Sequence, residues 1–363
     1  MYMRVLSRQT IQHIGTVITA CTAVTILLRY PEAVHNGINR GLSVCSTVII
    51  PTLFPFMLLA GWLSDSSLCR SPGRWMQTVT RRLFGLPGCC APAILLSLVG
   101  GYPAGILAIS RLYRQGLIQR QELRKMTAYC ICGGPGFIVG TVGIGLMGSI
   151  QAGWLLYIAQ AITAIGIGIS IGHRQPTTTS ITTAPPPKQP FAQIMSDTCR
   201  ALLSMCGFVT AAAMLLSLSD GMGLSQSIAT GIGCSATDVG AAIAGLLEVS
   251  CGCIALSGVP LAPLWLSGCL GWGGLSIHGQ LAALLPEERI VDVSFFGWRL
   301  VHSLICGGMA LGLFYLFPPK ESVGALPFST LPFSVSSTAT HMLLLLCFLT
   351  MLCFSEKKAG KTE

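Results

Sequence analysis

The chain has 363 residues, 52% of them hydrophobic and only 10% charged, against roughly a quarter charged in an average soluble domain. That composition excludes a soluble enzyme and predicts an all-α polytopic membrane protein whose first partner is the lipid bilayer. The net charge of +9 is not read as a nucleic-acid footprint, because the basic residues flank apolar segments as the positive-inside rule expects.

Apolar segments fall at 11–28, 46–63, 90–110, 131–149, 150–172, 201–218, 239–258, 261–283, 294–317 and 338–354. The first runs directly into Arg29 without a small-residue cleavage site, so it reads as a retained helix rather than a signal peptide. Segment 90–110, CAPAILLSLVGGYPAGILAIS, is long enough to cross a bilayer, yet Gly100-Gly101-Tyr102-Pro103 breaks it at its centre. Arg70, Arg74, Arg81 and Arg82 precede it, and Arg111, Arg114, Arg120, Arg124 and Lys125 follow it. A straight crossing would place one basic cluster outside. A re-entrant hairpin turning at Gly-Gly-Tyr-Pro places both in the cytoplasm, which requires that the irregular backbone lie within protein or beside a wet cavity.

Residues 173–190, HRQPTTTSITTAPPPKQP, form a polar Pro- and Thr-rich linker. With both termini cytoplasmic, 11–28 runs outward, 46–63 inward, 131–149 outward and 150–172 inward. Beyond the linker, 201–218 runs outward, 239–258 is re-entrant from outside, 261–283 runs inward, 294–317 outward and 338–354 inward. Of 22 Lys and Arg, 18 then lie inside, Arg29, Arg40 and Lys320 outside, and Arg299 within a helix.

The halves resemble each other in order: INRGLSVCSTVIIPTLFPFMLLAGWLSD (38–65) and TCRALLSMCGFVTAAAMLLSLSD (198–220), LLSLVGGYPAG (95–105) and LLEVSCGCIAL (246–256), CGGPGFIVG (132–140) and GWGGLSIHG (271–279). Because the first matched helix runs inward and its counterpart outward, these are expected to be inverted-topology repeats, as in many secondary transporters. The organisation is therefore an N-terminal membrane helix and connector (1–37), a first repeat (38–172), the linker, a second repeat (191–317), and a loop, last membrane helix and basic tail (318–363).

Broken helices bring half-helix ends to mid-membrane, where N-terminal amides attract anions and exposed carbonyls attract cations. Gly133, Gly134 and Gly136, around a helix-starting Pro135, are candidates to cradle a carboxylate or, alternatively, to permit close helix packing. Gly100, Gly101 and Tyr102, at the turn of the first hairpin, are further candidates for substrate binding. Glu248 is the carboxylate well inside an apolar segment and a candidate for coupling to a proton or sodium ion, its matched residue being Ser97. Ser276 and His278 follow the second Gly break and are candidates for substrate binding, the imidazole alternatively relaying a proton or making a structural hydrogen bond across helices. Arg299, one turn from His302 near a helix start, is expected to reach the interface. The cysteines lack paired C-x2-C spacing and read as packing residues, and no catalytic constellation, cofactor motif or metal site emerges.

VIIPTLFPF (48–56), GGYPAG (100–105) with RLYRQGLI (111–118), GGPGFIVGTVGIGLMGS (133–149), GLLEVSCG (245–252) and LGWGGLSIHGQ (270–280) together resemble the YlbJ (SpoVV) sporulation integral membrane proteins, which contain paired nucleoside-recognition, or Gate, domains. The resemblance implies a fold similar to concentrative nucleoside transporters and movement of dipicolinate, a small aromatic dianion, across the outer forespore membrane. Cys130, Ile131, Cys132, Cys251-Gly252 and Leu107 stand where the family usually carries polar residues. A nucleoside or other cargo, and a non-transporting scaffold in spore-envelope assembly, are the alternatives.

Overall fold

A computed structural model describes residues 8–64, 74–174, 190–285 and 288–319, so most of the linker and the expected last helix at 338–354 lie outside the described residues. Among the described residues, every regular element is helical. Helix α1 spans Arg8–Arg29, α2 Pro31–Val44 and α3 Ile50–Ser64, the last two joined by a π-helical turn at Cys45–Ile49. Together, α2 and α3 make a longer rod than the 46–63 segment predicts, because hydropathy undervalues the polar start of α2. Its glycines explain the extension. A Cβ on Gly37 would lie 2.9 Å from Ala213 O of α9 (Phe191–Gly221), and Gly41 faces Thr210, so the two helices approach backbone to backbone.

Among the described residues, five stretches are long and apolar enough to cross a membrane: Pro31–Leu59, Gly88–Arg114, Ile150–His173, Phe191–Gly221 and Val293–Leu316. The second of these does not run straight. Helix α4 (Arg74–Phe84) leads to α5 (Ala91–Arg114), in which Gly101 adopts φ 80°, ψ −174°. In a continuous helix Ser97 and Gly105 would stand about 12 Å apart along the axis. Here a Cβ on Gly105 would lie 3.3 Å from Ser97 Cα, and Leu96 packs on Ala104. The ends meet too: Cys89 Sγ is 3.8 Å from Leu117 O, where a straight helix would separate them by roughly 40 Å. The chain enters and leaves on one side, as the flanking arginines predict.

A second hairpin joins α11 (Ala236–Leu247) to α12 (Val249–Leu256) through Glu248, after α10 (Leu224–Ile232) has bent 115° into α11. Gly252 packs on Gly245, a Cβ on the former lying 3.0 Å from Gly245 N. The two hairpins turn at Gly101 and Glu248; Ser97, matched to Glu248 by sequence, sits in an arm of the first, its hydroxyl bonded to Ile94 O.

Among the described residues two helices are broken. Between α6 (Arg120–Tyr129) and the π-helical α7 (Gly136–Leu146) residues 130–134 are unwound, and α13 (Ala262–Trp272) is separated from α14 (Gly274–Leu284) by Gly273, with φ 86° at Gly273 and 78° at Gly274, the first residue of α14. Helix α7 lies on α8 (Ile150–Arg174) through Gly143 and Gly153. Helix α15 (Val293–Leu316) runs antiparallel to α13 and α14, Gly307 meeting Leu264, Ser303 donating to Gly268 O at 2.7 Å and Phe295 meeting His278.

A polar belt closes one end of this bundle. Arg111 pairs with Asp197 (3.1 Å), Arg120 with Glu288 (3.2 Å) and Arg124 with Asp292 (2.5 Å), while Arg114 donates to Leu284 O (2.7 Å). Tyr113 donates to Glu288. The first hairpin opens at this belt, where α14 ends and α15 begins. The second opens at the far end of α13, so the hairpins enter from opposite ends.

Candidate substrate site at the helix breaks

Each hairpin tip rests on a break. A Cβ on Gly134 would lie 2.9 Å from Gly101 N and 3.0 Å from Val99 O, so the first tip meets the first break backbone to backbone. A Cβ on Gly274 would lie 2.9 Å from Glu248 Cα and 3.0 Å from Val249 N, which repeats that contact at the second. The two pairs are also linked to each other: Tyr102 Oη donates to Leu270 O at 2.6 Å, and a Cβ on Gly273 would be 3.6 Å from the Tyr102 ring. Gly133 lies beside Tyr102 Oη, Gly100 is buried in the same turn, and Gly136 faces Phe56 and Thr52 O of α3. The sequence candidates Gly100, Gly101, Tyr102, Gly133 and Gly134 are thus one cluster, joined by Glu248 through Gly274.

Glu248 is buried, and its Oε2 accepts from Cys251 N at 2.7 Å. It caps its own half-helix, so the amide end of α12 already holds a carboxylate. His278 and Ser276 lie deeper in α14. The His278 Nε2 atom is 3.0 Å from Trp272 O, and its ring stands edge-on to Trp272, Phe295 and Phe296 at 4.7, 5.0 and 5.3 Å. Both residues are buried, and Ser276 Oγ and His278 Nδ1 have no hydrogen-bond partner among the described residues.

Arg299 overturns an expectation. Instead of reaching the interface it is 0% exposed, one face of α15 carrying it into the core. Its Nε donates to Trp272 O (3.2 Å), Nη1 to Ile131 O (2.9 Å) and Nη2 to Gly271 O, with His302 Nδ1 3.3 Å from Nη1. The cause is the breaks themselves. Helix C-termini leave carbonyls without partners, an unsatisfied group away from water costs several kcal/mol, and a planar guanidinium reaches several at once. The charge count marks the residue without naming its partners: of 22 Lys and Arg, Arg299 alone falls within one of the apolar segments. Leu270 O, the remaining carbonyl of that turn, accepts from Tyr102 and from Gln160 Nε2 at 3.2 Å.

Half-helices begin at Tyr102, Gly136, Val249 and Gly274, while others end at Tyr129, Leu247 and Trp272, so both dipole signs meet here with the guanidinium on the carbonyl side. Among the described residues no disulfide is formed and no group of three His, Cys, Asp or Glu is placed to hold a metal.

No family model matches the chain, and no solved structure does. Sporulation integral membrane protein YlbJ of Bacillus subtilis (strain 168) is 24% identical to it over 313 residues, 77% of each protein. The chain is related to the YlbJ family. Like YlbJ, it is an integral membrane protein, with several helices long and apolar enough to cross a bilayer.

Proposed function

We propose that the chain is a secondary transporter of a small organic anion, built from two inverted-topology repeats at 38–172 and 191–317 and similar in fold to concentrative nucleoside transporters. The observation that carries this reading is that two hairpins, entering from opposite ends, each bring their tip onto a broken helix beside a buried guanidinium. Helix ends gathered at mid-membrane are the usual site of such carriers, and rocking one repeat against the other is their usual motion. The relative's name gives sporulation and an integral membrane location; the place proposed, as the motif resemblance implies, is the outer forespore membrane and the cargo dipicolinate. Its two carboxylates suit the amide ends at Gly136 and Gly274, with Gly100, Gly101, Tyr102, Gly133, Gly134, Ser276 and His278 around them. Glu248 is assigned the coupling role, releasing Cys251 N when it takes up a cation.

The test is uptake of labelled dipicolinate into vesicles holding the purified protein, with uridine as competitor. Saturable dipicolinate uptake is expected; uridine uptake alone would make the cargo a nucleoside. One observation favours a non-transporting scaffold of the spore envelope instead: Arg299 and Glu248 are bonded within the protein, and Cys130, Cys132, Cys251 and Leu107 offer little polarity. Vesicles that take up neither compound would support it. A cysteine-accessibility scan tests the topology, with 74–82 and 111–125 expected on the same face and 219–237 on the other.

A further inference from the structure

We infer that Arg299 is the tethered cation of the helix breaks, its guanidinium occupying the carbonyl cage in which a broken-helix carrier otherwise holds a coupling sodium ion. The inference rests on the transporter reading and specifies what that carrier runs on. Unwound carbonyls and half-helix C-termini are cation sites, and both breaks present them here. Ile131 O comes from the unwound segment of the first half, Gly271 O and Trp272 O from the end of α13 in the second, and one side chain binds all three.

The cage has no vacancy for a second cation. Leu270 O is taken by Tyr102 and Gln160, and Trp272 O also lies against His278 Nε2. A sodium ion would have to displace these donors and sit within a few ångströms of a buried guanidinium, where like charges repel strongly for want of water. Among the described residues no carboxylate forms an ion pair with Arg299, and Glu248 is turned onto Cys251 N. The charge is fixed and internal, held by carbonyl dipoles and not by a full negative charge, so it favours an anion whether or not sodium is present. It also pins the first break to the second, which no freely exchanging ion does with a covalent tether. Arg299 is on this account a positioning residue, acting through the backbone of both breaks.

The experiment uses the full chain, in detergent for thermal melting and in vesicles for dipicolinate uptake. For the wild type, replacing sodium by N-methylglucamine at constant ionic strength is expected to leave both the melting temperature and the uptake unchanged. Arg299→Ala should melt lower and lose uptake, roughly tenfold for each carbonyl bond removed, and millimolar methylguanidinium should restore both. Arg299→Lys, a point charge without the fork, should recover only part. A sodium requirement for wild-type uptake, a sodium-specific rise in wild-type melting temperature, or an Arg299→Ala protein indistinguishable from wild type would each overturn the inference. If Arg299→Ala yields no folded protein, the wild-type sodium arms decide alone. Vesicles that take up no substrate would end the transporter reading, while the melting arms would still judge the arginine.

Discussion

In the first hairpin the chain reverses at Gly101 with φ 80°, a conformation L side chains rarely adopt, and packs that turn against the bare backbone of Gly134. In the second it reverses at Glu248 with φ −150° and ψ 132°, extended backbone open to any residue, and the carboxylate folds onto the amides that follow. One tip is closed to side chains by geometry; the other is defined by the side chain it carries. The first is therefore expected to be a fixed wall and the second the chemically active partner, an asymmetry that substitution at the two tips can break.

The largest effect is expected from Gly101→Val. A β-branched residue at positive φ is strained by about 1 to 2 kcal/mol, and its Cβ would press on Gly134 N at 3.1 Å, where backbone cannot yield. A collapse of the monodisperse fraction in detergent chromatography checks this; a normal yield would remove the distinction between the tips. At the other tip, Glu248→Ala removes the cap and should cost about 0.5 to 2 kcal/mol, seen as a lower melting temperature. Glu248→Gln sharpens the contrast, since its amide oxygen still accepts from Cys251 N: melting should stay near wild type while gradient-driven accumulation fails and exchange persists. A Gln variant that accumulates substrate normally would reduce Glu248 to a cap.

Tyr102→Phe should be milder still, below about 1 kcal/mol, because Leu270 O retains Gln160 as donor. The smallest change is expected in the belt. Arg124 and Asp292 are partly exposed, and such pairs contribute about 0 to 1 kcal/mol, so Arg124→Gln should shift melting slightly at low salt and not at all at high salt.

The first hairpin was legible because two independent signals agreed, a Gly-Pro break and basic residues on both flanks. The second break was legible in the Gly273-Gly274 pair, and both residues adopt positive φ. What hydropathy missed were helices with polar stretches: α2 packs through Gly37 and Gly41, α6 carries Arg120 and Arg124 of the belt, and neither is an apolar run. The π-helical form of α7 leaves no trace in composition, since glycines suit tight packing in any helix. Arg299 was misplaced for a definite reason. Near a helix start, snorkelling to the interface is the default for arginine, and only knowledge of carbonyls 168 residues earlier reverses it.

That separation bears on how the protein is made. A ribosome delivers Ile131 to the membrane long before Arg299 exists, so the first break enters the bilayer with a bare carbonyl that lipid cannot satisfy. Until α15 is synthesised, residues 130–134 must stay hydrated, either held at the interface or sheltered by the insertion machinery, and the N-terminal half cannot mature by itself. Nascent chains stalled before residue 293 should remain open to protease around Gly133, and chains stalled well past 316 should not.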